Sequence, residues 1–311
     1  MKRLALVLAV VIGWSAPPAA AQPPLYVSNS GPDNTGFGHV KKVLPDGSST
    51  DYATVAFPVG LAAVTSGVNA GTLYVSDYGS NSILKVATNG TVSTYRSGFN
   101  TPTGIVLDAS GNLYVADQGN NRVVRIPAGG GTPTVWATGT TDFAPVGLAL
   151  DRTGSNLYIS DTNDQAVYRV GTSAPAGALP APFAAVSFPT GLAVGTDGTL
   201  YVSSFTTNTI RTIPAGGGPQ GTFASGIMSP YGLAFDPSGT NLFATAFGSG
   251  DVFQIPVSTG VPAVYAGGFD GPYFLAFPVP EPAGVLLACG GAAAVAAGWR
   301  RLRRRTSPSA A

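Results

Sequence analysis

Apolar positions along this chain come in short runs, broken about every 8–12 residues by Gly, Pro, Asn or Asp. Residues 101–139 show the pattern. Gly104–Asp108 reads as a first strand, Ala109-Ser110-Gly111-Asn112 as a turn and Leu113–Ala116 as a second strand. The loop Asp117–Asn121 precedes a third strand at Val123–Ile126. A glycine turn at Pro127–Gly131 then leads to an outer strand at Thr134–Ala137. The runs are continuous rather than alternating, as in strands covered on both faces. Between residues 25 and 277 no run extends far enough between turn signals to form a helix of ordinary length.

The same order recurs. Pro58-Val59-Gly60-Leu61-Ala62 is repeated at Pro102, Pro145, Pro189 and Pro230, with a degenerate sixth copy, Pro272-Tyr273-Phe274-Leu275-Ala276. The intervals of 44, 43, 44, 41 and 42 residues are those of a four-stranded propeller blade. The last copy has a first strand without successors. Leu25–Asn29, Val40–Leu44 and Asp51–Val55 supply the missing second, third and fourth strands. The pattern therefore predicts an all-β, six-bladed β-propeller closed by a composite blade from both chain ends, over residues 22–279. Composition agrees: 42 Gly and 26 Pro punctuate the chain, and the only Glu is Glu281, whereas long helices normally carry Glu and Lys on their solvent faces.

The repeat resembles the NHL type: Pro-x-Gly-[Leu/Ile], then Asp-x-x-Gly-Asn-Leu-Tyr-Val-[Ser/Ala]-Asp, then Asn-x-[Ile/Val], with residues 101–126 the fullest copy. That resemblance implies a propeller but not an activity, because one fold hosts many functions. Gluconolactonase-like propellers and streptogramin lyases resemble this architecture. The former hold a divalent metal through Glu with Asn or Asp, and the latter depend on His and Glu. This body has no Glu before Glu281, and its only His is His39.

The two ends read as addresses. Met1-Lys2-Arg3, an 11-residue apolar run from Leu4 to Trp14, and Ala19-Ala20-Ala21 make a secretory signal over residues 1–21, cut after Ala21 by signal peptidase. At the other end, Pro280-Glu281-Pro282 precedes 17 uncharged residues from Ala283 to Trp299 and an arginine cluster within Arg300–Arg305. Such a run is marginally long enough to cross a bilayer, with the arginines holding its cytoplasmic end. Residues 280–305 resemble the PEP-CTERM sorting signal, which leaves 306–311 as a short tail. The resemblance implies an exosortase-like partner, transient residence in the inner membrane, and delivery to the cell surface or extracellular matrix. The alternative is a permanent C-terminal anchor.

Charge narrows the partners. Setting aside two basic residues of the leader and five of the tail leaves 9 basic residues against 14 Asp, a body near −5. Such a body does not attract phosphates, so nucleic acid is not an expected partner. The single Cys, Cys289, lies in the apolar tail, so no disulfide framework or cysteine zinc site exists.

Candidate chemistry lies in the loops between second and third strands. Asp77, Asp117 and Asp161 start three of them, and two readings stand: coordination of a metal or sugar, or capping of their own loops. The next two copies carry Phe205 and Phe247, and Tyr231 and Tyr273 occupy the variable position of Pro-x-Gly. One side of the ring is thus expected to be aromatic and the other acidic, the rings either stacking on a ligand or packing between blades. No catalytic residue, cofactor or tightly held metal is expected. The leading reading is a non-enzymatic binding or scaffold propeller whose partner is an extracellular polysaccharide or protein. The alternative is a metal-dependent hydrolase of the lactonase type, its ion held by Asp, Asn and carbonyl oxygens.

Overall fold

The computed structural model describes residues 22–31, 37–65, 69–173, 175 and 177–278. Residues 1–21, read above as a secretory signal ending at Ala21, the Pro280-Glu281-Pro282 motif and the apolar run after it lie outside them. The described chain forms six sheets in a ring. Each blade starts with an inner strand: Pro58–Ala63, Pro102–Leu107, Pro145–Leu150, Pro189–Val194, Pro230–Phe235 and Pro272–Ala276. These six strands surround a central channel. Antiparallel partners follow outward; in blade two they are Leu113–Asp117, Arg122–Ile126 and Thr134–Thr138.

Closure follows the expected route. Leu25–Asn29 pairs on one side with Pro272–Ala276 and on the other with Gly38–Val43, which pairs with Ser49–Val55. Tyr26, Val40 and Ala276 of this composite blade pack with Leu61, Leu73 and Val75 of blade one. Leu25, Val27 and Leu275 pack with Phe243, Val252 and Phe269 of blade five. The ring therefore ends without an unpaired inner edge.

Blade three departs from the four-strand pattern. Its outer strand is only Ala184–Ala185, and Gly177–Ala178 instead adds in parallel to the outer strand of blade two. The segment contains Pro175, Pro180 and Pro182, which lack the amide donors that a longer outer strand would need.

The Gly of Pro-x-Gly has a steric reason. A Cβ at Gly60, Gly104, Gly147, Gly191 or Gly232 would collide with the carbonyl oxygen of the variable residue in the next blade. Hydroxyls bridge the same contact. Ser160 Oγ accepts from Gly147 N at 2.7 Å and donates to Thr190 O at 2.6 Å. Ser76 and Thr245 bridge blades one to two and five to six in the same way. Ser28 Oγ closes the seam, accepting from Phe274 N at 2.9 Å and donating to Val59 O at 2.6 Å.

Candidate functional site

Loops between second and third strands open on the same face as the connections entering the inner strands; this is called the upper face here. Asp77, Asp117 and Asp161 all sit there, each essentially buried. Asp77 Oδ1 accepts from the amides of Phe57 and Gly79 at 2.8 and 3.2 Å, and its Oδ2 accepts from Ser80 Oγ at 2.6 Å. Asp117 accepts from Asn100 N at 2.7 Å, Asn120 Nδ2 at 2.9 Å and Arg122 Nε at 2.7 Å. Asp161 Oδ1 accepts three amides, from Ala144, Asn163 and Asp164. Each carboxylate thus ties its own loop to the connection that enters the same blade.

Asp161 differs in one respect. Its Oδ2 is buried and has no hydrogen-bond partner among the described residues. Arg122, which holds the corresponding oxygen in blade two, is replaced by Ala166 in register. Burial pushes the Asp161 carboxyl up, and the neighbouring Asp164 charge adds to this against the opposing backbone amides.

The aromatic candidates converge. Tyr231 and Tyr273 meet edge to face with centroids 4.8 Å apart. Phe205 lies 6.2 Å from both Tyr231 and Phe247, and Phe247 lies 5.2 Å from Tyr273. Three rings not singled out from the sequence extend the series: Phe188 beside Phe205, Phe57 beside Tyr273, and Tyr78 beside Phe57. Their signal was present in the repeat. Phe57 and Phe188 directly precede the repeat prolines, and Tyr78 occupies the loop position of Phe205 and Phe247. The aromatic arc therefore spans blades four, five and six and crosses the seam into blade one.

The arc borders a cavity of about 280 Å³ at the upper end of the channel, lined by Phe57, Val59, Tyr78, Thr103, Gln118, Tyr231 and Tyr273. Asp77, Asp117 and Asp161 are not in its wall, and no Lys, Arg, Asp or Glu lines it. Burial raises the Tyr231 and Tyr273 phenols above their ordinary range, helped by the nearby phenol of Tyr78. They therefore stay neutral donors at ordinary pH. The cup can stack a ring against its aromatic wall and hydrogen-bond hydroxyls through three phenols and one amide. It offers no counter-ion, so a charged group would lose its hydration there without compensation.

The NHL repeat model matches residues 99–126. No curated protein matches the chain in sequence. Among solved structures, a propeller in the nidogen/laminin complex is similar with a TM-score of 0.70 and 17% identity, covering 83% of this chain and 99% of that one. A streptogramin B lyase has a TM-score of 0.58 and 16% identity, covering 83% and 88%. Catalytically inactive virginiamycin B lyase from Staphylococcus aureus with quinupristin has a TM-score of 0.57 and 18% identity, covering 84% and 94%. Identities this low show the shared fold alone. The chain is a six-bladed β-propeller with an NHL repeat.

Proposed function

We propose that this protein is a binding propeller of the cell exterior whose upper cup takes one uncharged, hydroxyl-bearing ring, the terminal sugar of an extracellular polysaccharide. The observation that carries this reading is the cup itself, with aromatic faces, phenol and amide donors, and no charged side chain in its wall. Its volume lies just under the ~300–1,000 Å³ of typical small-molecule pockets, which suits one ring and not a chain. Calorimetric titration of the protein with neutral oligosaccharides checks it. Binding is expected that Tyr231→Ala or Tyr273→Ala weakens by about 1–3 kcal/mol per lost stacking or hydrogen-bonding contact. No heat with any neutral glycan, together with tight capture of a protein through the same rings, would replace the sugar by a protein partner.

The placement outside the cell rests on the basic and apolar leader and on the Pro280-Glu281-Pro282 tail. In this reading signal peptidase cuts after Ala21 and an exosortase-like enzyme acts near the motif, releasing the propeller to the surface or matrix. Mass spectrometry of the native protein should find neither end. Tail peptides still joined to the propeller would show a permanent anchor instead.

A second reading, a hydrolase with a divalent ion, is favoured by one observation: the unpartnered, buried Oδ2 of Asp161. Calcium- or zinc-dependent lactone hydrolysis that Asp161→Asn abolishes would establish it.

A further inference from the structure

The sixth repeat breaks the rule of the other five at a single inner position. Five blades place Gly third in Pro-x-Gly, where a Cβ would strike the next blade. Blade six places Phe274 there, at the seam between the two chain ends. The backbone contact is nevertheless retained: Phe274 N still donates to Ser28 Oγ, which still donates to Val59 O. The extra side chain goes into the channel. Its ring lies 5.4 Å from that of Tyr231 at 88°. Phe274 also lines a second cavity of about 380 Å³ at the lower end, whose lining side chains are all apolar and include Leu61, Ile105, Leu148, Leu192 and Leu233 from the other five inner strands. No residue lines both cavities. The two chambers meet at the Tyr231–Phe274 pair.

We infer that Phe274 is a positioning residue that closes the propeller channel: it lines the lower chamber and packs against the Tyr231 ring that walls the upper cup, holding that ring against Tyr273. This deepens the proposed reading of the cup and rests on it for the ligand, but the partition itself is a property of the empty ring. The physical argument is one of packing. Tyr231 makes edge-to-face contacts with Tyr273 at 4.8 Å and Phe274 at 5.4 Å, with Phe205 farther off at 6.2 Å, and these contacts fix its ring plane. With glycine at 274, as elsewhere in the repeat, one support is lost and the upper cup joins the lower chamber. The Tyr231–Phe274 partition also sets specificity. With it in place only a terminal ring enters; without it a second ring can follow the first down the channel.

The test compares Phe274→Gly, Phe274→Leu and the wild-type chain. One readout needs no ligand: titration of the Tyr231 phenol by NMR, assigned by its loss in Tyr231→Phe. In Phe274→Gly, water reaching Tyr231 from below should bring its titration down toward the ordinary phenol value of ~10, while Phe274→Leu should keep it raised. The second readout is affinity for a methyl glycoside against the disaccharide of the same sugar. The wild type and the leucine variant should bind both alike, and the glycine variant should favour the disaccharide about tenfold. An unmoved phenol titration in folded Phe274→Gly overturns the partition. Should that variant not fold, Phe274→Ala replaces it under the same two outcomes. A moved titration without saccharide binding in any variant leaves the partition standing and removes the sugar reading of the cup.

Discussion

Two serines in the same register illustrate how differently one residue type is used in this ring. Ser160 joins Gly147 to Thr190 across a blade junction, with both partners buried. Ser203 holds the corresponding place in blade four, yet its hydroxyl is buried without a partner among the described residues. There the hydroxyl of Thr190 takes over, donating to Pro230 O at 3.1 Å and Tyr231 O at 3.3 Å. Ser160→Ala should therefore lower stability by about 1–3 kcal/mol, because it strands a buried amide and a buried carbonyl. Ser203→Ala should be neutral or slightly stabilising, because it removes a desolvated group that gains nothing. Urea unfolding of the two variants at constant slope distinguishes them, and equal losses would refute the assignment of the bridge to Thr190.

At the scale of elements, the turns and loops are held by carboxylates with opposite titration behaviour. In the turns after the inner strands, Asp151 and Asp236 are opposed by burial, but donors from Asn156 and Asn241 and from backbone amides outweigh it and hold both carboxyls below their usual range. Their stabilisation is present above the unfolded value of ~3.9 and is lost as pH falls through the folded value. Asp161 has the reverse sign. Its folded value is raised, so the stability it favours is complete below the unfolded value and is lost as pH rises through the folded one. Asp161→Asn keeps the amide-accepting oxygen and removes that loss. Its melting temperature relative to wild type should therefore rise as pH is taken from ~3.5 to ~6. A difference independent of pH would show that Asp161 is ionised without penalty. This contrast was not legible in the repeat, since the sequence shows three equivalent loop aspartates. The distinction lies in the partner at the start of the third strand, Arg122 in one blade and Ala166 in another.

At the scale of the molecule, stability depends on a seam. The last inner strand brings Leu275, Ala276 and Phe277 into the two interfaces flanking the composite blade. Full burial of each large apolar side chain contributes ~1.5–3 kcal/mol, and a whole domain has only ~5–15 kcal/mol to lose. Deleting residues 272–277 should therefore unfold the ring or drive the exposed edge of Leu25–Asn29 to pair between molecules. Light scattering with thermal melting checks this. A monomer with an unchanged melting curve would mean that the ring does not depend on its seam.

The chain's own pattern determined the number of blades, the order of strands within each and the route of closure. These depend on local turn chemistry and on a repeat near 43 residues that any one blade can satisfy with its neighbours. It also marked four members of the aromatic series, because Tyr231, Tyr273, Phe205 and Phe247 depart from the repeat at positions readable one by one, though the series continues into blade one beside Asp77 and so does not keep to one side. Only the tertiary structure decided what those departures do. Phe57 and Tyr273 lie at opposite ends of the propeller sequence and become neighbours through closure alone, so Phe57 and Tyr78 of the first blade join an arc that starts in the fourth. Whether an aspartate faces a ligand or its own loop depends on where nearby amides point once the connection is folded over it. And whether a Phe in place of Gly breaks a blade junction or closes a channel depends on the space across the ring axis, which no single repeat contains.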